Sequence, residues 1–365
     1  MRLRTLLALP LAAATLATGL TAVASGGAAA AKEPVAGPLV FGHRGASGYR
    51  PEHTLASYET AIRLGADVIE PDLVSTKDGV LVARHENEIG GTTTVATKFP
   101  TLTKKKVIDG TTVEGWFTED LTIAELRTLR AKERLPAVRQ ENTVFDGRYL
   151  VPTLDEVLAL AKAASRQYGR TIGVAPETKH PTYFDGIGLS LEEPLLADLR
   201  QARLATVKSP VYVQSFEEAN LRDLRRLGAR VTLVQLTSAP GRPYDHVVAG
   251  DPQTYAEMTT PAGLREIAQY AQVLGPEKSQ IFPRAADGTT STPTTLVRDA
   301  HDADLLVVPY TVRAENQFLP VQHRSGADPT AFGDVIAEAK ALYATGVDGL
   351  FCDQPDLCRV ARDEP

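Results

Sequence analysis

His43 and His85 each follow a short apolar run, Pro38-Leu39-Val40-Phe41 and Val80-Leu81-Val82-Ala83, so each imidazole stands where a strand is expected to end. Between them lie Glu70 and Asp72, two residues apart in a β-leaning stretch with Val68, Ile69 and Leu73. That spacing sends both carboxylates off the same face of a strand, as two ligands of one hard cation must be. Glu177, at the end of the apolar residues 172–175, is the best third ligand, and Lys179 falls on the same face two residues on. Three carboxylates with open positions suit Ca2+, with Mg2+ as the alternative, and do not suit zinc. Two imidazoles beside such a centre form an acid/base pair. The planar fork of Arg44 and the ammonium of Lys179 supply positive charge for a phosphate oxygen, and Gln214 and Tyr310 are expected as polar and aromatic walls for the alcohol part of a substrate. The set of types suits metal-assisted cleavage of a phosphodiester. Serine chemistry is not indicated, because Ser47 sits outside a G-x-S-x-G elbow. A zinc helix is not indicated either, because His85-Glu86-Asn87-Glu88-Ile89 lacks the second histidine.

Apolar runs that could position these groups recur at 39–42, 67–73, 80–84, 171–177, 210–215, 231–236, 279–283, 305–311 and 347–352. Helical patterns lie between several of them, at 54–64, 154–166, 217–227 and 330–344. Such alternation predicts an α/β fold, a parallel sheet closed into a TIM-type (β/α)8 barrel. The link from 67–73 to 80–84 is too short for a parallel crossover, so these two runs are predicted to pair as an antiparallel hairpin through Lys77-Asp78-Gly79, which leaves eight strands for the barrel. Residues from about 87 to 149 break the rhythm. They hold a Gly-Gly-Thr-Thr-Thr stretch, the Lys104-Lys105-Lys106 run, read as a solvated face, and the sole tryptophan, Trp116. They are expected to form an inserted subdomain that shapes the substrate pocket without holding the barrel together.

The segment His43-Arg44-Gly45-Ala46 with Pro51-Glu52-His53-Thr54, the Glu70-x-Asp72 pair, Thr76-Lys77-Asp78-Gly79 and His85 closely resembles the glycerophosphodiester phosphodiesterase family. The likeness continues through Pro176-Glu177-Thr178-Lys179, Gln214-Ser215-Phe216, Val234-Gln235-Leu236, Pro309-Tyr310-Thr311-Val312-Arg313 and Gly346-Val347-Asp348-Gly349-Leu350-Phe351-Cys352-Asp353. It is strongest to the secreted bacterial branch with a long insertion after the second histidine. One position departs from the pattern: Glu86 follows His85 where the family mostly has Asp. The resemblance implies hydrolysis of small glycerophosphodiesters, such as glycerophosphocholine or glycerophosphoethanolamine, to glycerol 3-phosphate and an alcohol. The substrate's own 2-hydroxyl would attack phosphorus. A sphingomyelinase D-like phospholipase and a catalytically silent extracellular barrel are the rival readings. The first would need an apolar lipid-facing rim, and the second would be expected to have lost a histidine or a ligand. His53 is expected to help start the following helix, and His180, His246, His301 and His323 to be ordinary surface or packing residues.

Arg2 and Arg4, an apolar run from Leu6 to about Leu20, and Ala28-Ala29-Ala30-Ala31 read as a signal peptide over residues 1–31, ahead of a single barrel over 32–365 and a secreted destination. The formal net charge of −6 becomes more negative once a leader carrying two arginines is removed, so nucleic acid is not an expected partner and stable membrane insertion is not expected. The two cysteines, Cys352 and Cys358, are close enough in sequence for a short-loop disulfide in an exported protein.

Overall fold

A computed structural model of the chain describes residues 37–364, so the expected signal peptide lies outside the described residues. Eight parallel strands close a barrel. In order they are Leu39–His43, Val68–Glu70 continuing as Asp72–Ser75, Gly173–Val174 continuing as Glu177–Thr178, Tyr212–Ser215, Thr232–Thr237, Val273–Pro276, Leu306–Val307 and Gly349–Cys352. The ring closes where the Asp348 and Phe351 amides donate to the Val307 and Pro309 carbonyls. The second and third strands are each interrupted by a proline, Pro71 and Pro176, because a proline has no N–H for the ladder. Helices such as Leu55–Arg63, capped by Thr54, and Leu154–Gln167, with a capping box from Thr153 and Glu156, pack outside.

The predicted hairpin is present, with Leu73, Val74 and Ser75 opposite Ala83, Val82 and Leu81. One predicted strand is misplaced. Residues 279–283 lie largely in the Lys278–Ile281 helix, started by a capping box of Glu277 and Gln280, and the sixth strand is Val273–Pro276. Its Gly275-Pro276 end carries a turn signature, while the apolar pair Ile281-Phe282 imitates a strand. The last predicted helix is also shorter than its pattern: Asp334 caps Val335–Tyr343, and residues 330–334 precede it.

Residues 87–149 contribute a two-stranded hairpin, Lys104–Ile108 with Thr111–Gly115, and short helices, but no barrel strand. They are not an appendage. Ile89, Val95, Leu121, Leu126 and Leu129 are buried in the same apolar cluster as the barrel's outer core. Arg139 reaches across to Glu315 and Asp353, and Arg134 reaches Glu52. The expectation that this segment leaves the barrel to stand alone is therefore corrected. The lysine run is only partly a solvated face, since Lys104 pairs with Asp120, and Lys106 is largely buried against Glu119 and Asp120. No helix among the described residues is long and apolar enough to cross a membrane.

Candidate active site

The barrel interior explains how the strands aim the site. Phe41, Val68, Ala175, Val308 and Phe351 meet in a small apolar cluster inside the ring, with Tyr212 against it. Side chains on a strand repeat every second residue, so the residues two positions further on point the same way at the open end. Those residues are His43, Glu70, Glu177, Tyr310, Asp353 and Gln214. The carboxyl ends of barrel strands are where this fold places its chemistry.

Glu70, Asp72 and Glu177 are all buried and offer carboxylate oxygens within 4.8 Å of one another. Burial pushes Glu70 well above the usual carboxylate range, helped by the charge of Asp72, and burial raises Glu177 to about 8 despite Lys179 beside it. Burial would raise Asp72 too, but His53 and Lys179 hold it well below that range. Crowded carboxylates of this kind fit one hard cation, which would relieve their mutual repulsion. Gln214 Oε1 is a further buried acceptor without a partner among the described residues.

A cavity of about 120 Å3 opens over this triad, lined by His43, Arg44, Glu70, His85, Glu177 and Lys179 on its polar side. Phe216, Leu236 and Phe351 form its apolar wall. His43 Nδ1 lies 2.6 Å from Asp353 Oδ1, and His85 Nδ1 lies 2.8 Å from Glu86 Oε1. Glu86 thus reaches the ring in the place the resemblance reserves for Asp. Burial, and then the Arg44 charge, lowers His43 to about 4 and His85 to about 3, so neither imidazole carries charge at neutral pH in the unliganded protein. Lys179 Nζ donates to Glu177 Oε1 at 2.8 Å and stays charged.

Arg44 sits at the cavity but is more committed than its sequence position suggests. Its amide donates to Glu70 Oε2 at 2.6 Å and its Nη1 to Glu52 at 3.0 Å, while its buried Nε lies 3.4 Å from Asp72 without a hydrogen bond. Its backbone is left-handed, φ 59°, as are His53 at 53° and His180 at 51°. Such non-glycine conformations cluster at functional sites. Gly45 follows at φ 92°, where a Cβ would fall 2.6 Å from the Ser57 carbonyl carbon.

Two sequence-expected wall residues sit differently from each other. Tyr310 lines the cavity, its hydroxyl donating to the Thr237 carbonyl at 3.0 Å. Gln214 also lines it, but its amide is spent on Ala175 O at 3.0 Å and Glu70 Oε1 at 3.4 Å, which places it behind the acidic triad more than against an alcohol. Cys352, the last residue of the eighth strand, and Cys358, in the helix that follows, are joined as a disulfide.

Sequence reasoning missed four participants. His53 does more than open a helix: it is fully buried with Nε2 2.8 Å from Asp72 Oδ2 and Nδ1 2.8 Å from the Tyr58 hydroxyl. Asp353 carries His43 on one oxygen and Arg139 and Arg313 on the other. The two-residue step from buried Phe351 was the available signal for it. Arg139 gave none, since it lies in an irregular part of the insertion. His180 is likewise no ordinary surface histidine: Nδ1 meets Asp109 at 2.5 Å and Nε2 meets Glu86 at 2.9 Å, which raises it to about 9 despite burial.

The comparisons with known proteins agree with this arrangement. The model of the glycerophosphoryl diester phosphodiesterase family matches residues 43–357. A glycerophosphodiester phosphodiesterase of Arabidopsis thaliana is 34% identical over 331 residues, covering 87% of this chain and 83% of its own. One from Bacillus subtilis is 31% identical over 326 residues, covering 87% and 84%. Among solved structures, an Oleispira antarctica phosphodiesterase in complex with the product sn-glycerol-3-phosphate shares the fold at a TM-score of 0.55 and 19% identity, over 89% of this chain and 96% of that one. A barrel whose strand ends gather these acids and imidazoles, matched along nearly its whole described length, identifies the chain as a member of the glycerophosphodiester phosphodiesterase family of hydrolases.

Proposed function

We propose that the protein is a secreted, metal-dependent enzyme that hydrolyses glycerophosphodiesters, such as glycerophosphocholine and glycerophosphoethanolamine, to sn-glycerol 3-phosphate and an alcohol. The observation that carries the reading is that His43, His85, Glu70 and Glu177 line one cavity, with Asp72 completing the acidic triad behind it. The product bound to the Oleispira relative supports the substrate class. The basic and then apolar start of the chain, ending in a run of alanines, supports export.

Glu70, Asp72 and Glu177 would hold Ca2+, with Mg2+ the alternative. Bound there, the cation would offset the triad's charge and polarise a phosphoryl oxygen. Lys179 and Arg44 add positive charge on the substrate side. The substrate's C2 hydroxyl oxygen bonds to phosphorus while one of His43 and His85 takes its proton. The other imidazole, charged once the phosphate anion is in place, gives a proton to the departing alcohol oxygen. Water then adds to phosphorus and breaks the bond to the C2 oxygen, which regains a proton.

The test is release of glycerol 3-phosphate from glycerophosphocholine before and after chelation. Chelator should abolish turnover, and Ca2+ should restore it better than Zn2+. Full turnover by protein that elemental analysis finds metal-free would overturn the reading. A diester lacking the 2-hydroxyl should bind and hardly react.

A further inference from the structure

His85 reaches the cavity with less support than His43. The Asp353 side chain that holds His43 is 2% exposed and carries two arginines, whereas the Glu86 side chain that holds His85 is 48% exposed. A half-exposed Glu has rotamers to choose from, so packing alone does not keep its carboxylate against an imidazole. Glu86 is fixed from its other oxygen instead. Its Oε2 lies 2.9 Å from His180 Nε2, and His180 Nδ1 lies 2.5 Å from Asp109 Oδ2. An unbroken series of contacts thus runs from His85 through Glu86 and His180 to a turn of the insertion. Of the four residues, His85 alone lines the cavity.

The backbone sets each link beyond Glu86. His180 stands just ahead of the helix Pro181–Gly186, left-handed at φ 51°, yet its side chain makes no capping bond. Glu217 serves that first turn instead, accepting from the Thr182 amide at 3.3 Å, so the His180 ring is free to meet two acids. A non-glycine residue keeps such a backbone only where its surroundings hold it there. Asp109 and Gly110, at φ 46° and 77°, occupy the turn between Lys104–Ile108 and Thr111–Gly115, where an Asp-Gly pair is favoured. Lys106, largely buried against Glu119 and Asp120, fixes that hairpin to the rest of the insertion. Burial opposes a charge on His180, but the hydrogen bonds to Asp109 and Glu86 raise it to about 9, which makes it a cation between two anions at neutral pH.

We propose that His180 and Asp109 are positioning residues for His85, so that the hairpin turn of the insertion orients a catalytic imidazole through Glu86. The proposal rests on the phosphodiesterase reading above, in which His85 moves a proton, and adds no step to it. Glu86 is what makes the link: it meets His85 with one carboxylate oxygen and His180 with the other. His180 and Asp109 touch no substrate and act only by holding that carboxylate in place.

The test measures kcat and KM of the full chain on glycerophosphocholine, at neutral pH with Ca2+, for His180→Asn, Asp109→Asn, Glu86→Ala and Glu86→Ala combined with His180→Asn. Asn tolerates the left-handed backbone at both sites and keeps the turn. His180→Asn should lower kcat roughly tenfold, the scale of one hydrogen bond to a charged group, with KM little changed because His180 lies outside the cavity lining. Asp109→Asn should lower kcat too, by a smaller factor, since the amide still bonds the ring. Glu86→Ala should be equally slow with and without His180→Asn, because the second change has nothing left to act through. A contact that merely braces the fold would shift the urea midpoint with kcat unmoved, or slow the Glu86→Ala protein further. Either outcome in folded protein would overturn the proposal. If His180→Asn does not fold, Asp109→Asn alone and combined with Glu86→Ala gives the same comparison. Full turnover by His85→Ala would overturn the catalytic reading as well, whereas a slow His85→Ala beside an unmoved His180→Asn removes only the positioning role.

Discussion

His43 and His85 are held differently. His43 is anchored by Asp353, itself fixed by Arg139 and Arg313, whereas His85 is anchored by Glu86, a half-exposed acid shared with His180. Replacing either histidine by Ala should lower kcat at least roughly 10²-fold, the scale of losing a general acid or base. Asp353→Asn should cost less, roughly tenfold in kcat with KM little changed, because Asp353 bears on the chemistry only through His43, its other oxygen being held by Arg139 and Arg313. Steady-state kinetics on glycerophosphocholine separate the cases, and an Asp353→Asn loss confined to KM would remove this role. The acids and imidazoles were legible in the sequence because each ends an apolar run. The contacts that orient them were not: His43 and Asp353 are 310 residues apart, and nothing local to Arg139 marks it.

The Lys104–Ile108 and Thr111–Gly115 hairpin carries its turn residue Asp109 onto His180, which sits one residue beyond Lys179. The pair is only 16% and 27% exposed, so solvent screens it modestly. The raised folded pKa of His180, about 9 against about 6.5 unfolded, fixes the sign. Stability from the two acids that His180 meets, Asp109 and the half-exposed Glu86, is fully present below pH 6.5 and is lost as pH rises through about 9. His180→Asn, which tolerates the left-handed backbone, should therefore lower the urea midpoint most below pH 6.5 and least above pH 9. A difference growing with pH would show that the contact does not hold the hairpin. Most barrel strands were legible, because apolar runs of four to six residues have few other uses. The sixth failed because a strand ending in Gly-Pro lacks the side chains that announce one.

The insertion and the barrel share one fold because the insertion carries counter-charges for buried acids. Without it, Asp353 would keep only Arg313 and His43, Glu315 would lose Arg139, and Glu52 would lose Arg134. Breaking one buried pair costs about 3–5 kcal/mol, comparable to the roughly 5–15 kcal/mol that stabilises a domain. Replacing residues 90–147 by a Gly/Ser link should thus abolish cooperative thermal unfolding, and a sharp transition in that variant would restore the picture of an insertion that shapes the pocket without holding the barrel together. A last feature bears on how the enzyme meets bulky substrates. Arg362, in the final helix Pro355–Asp363, donates to the Pro38 carbonyl and to Asp67, so the first strand begins beside the place where the last helix ends. Both lie at the pole where strands start, and the mouth lies at the other. An anchor fused to the C-terminus would leave the catalytic opening facing outward, free to work on diesters displayed on particles or surfaces as well as those in solution.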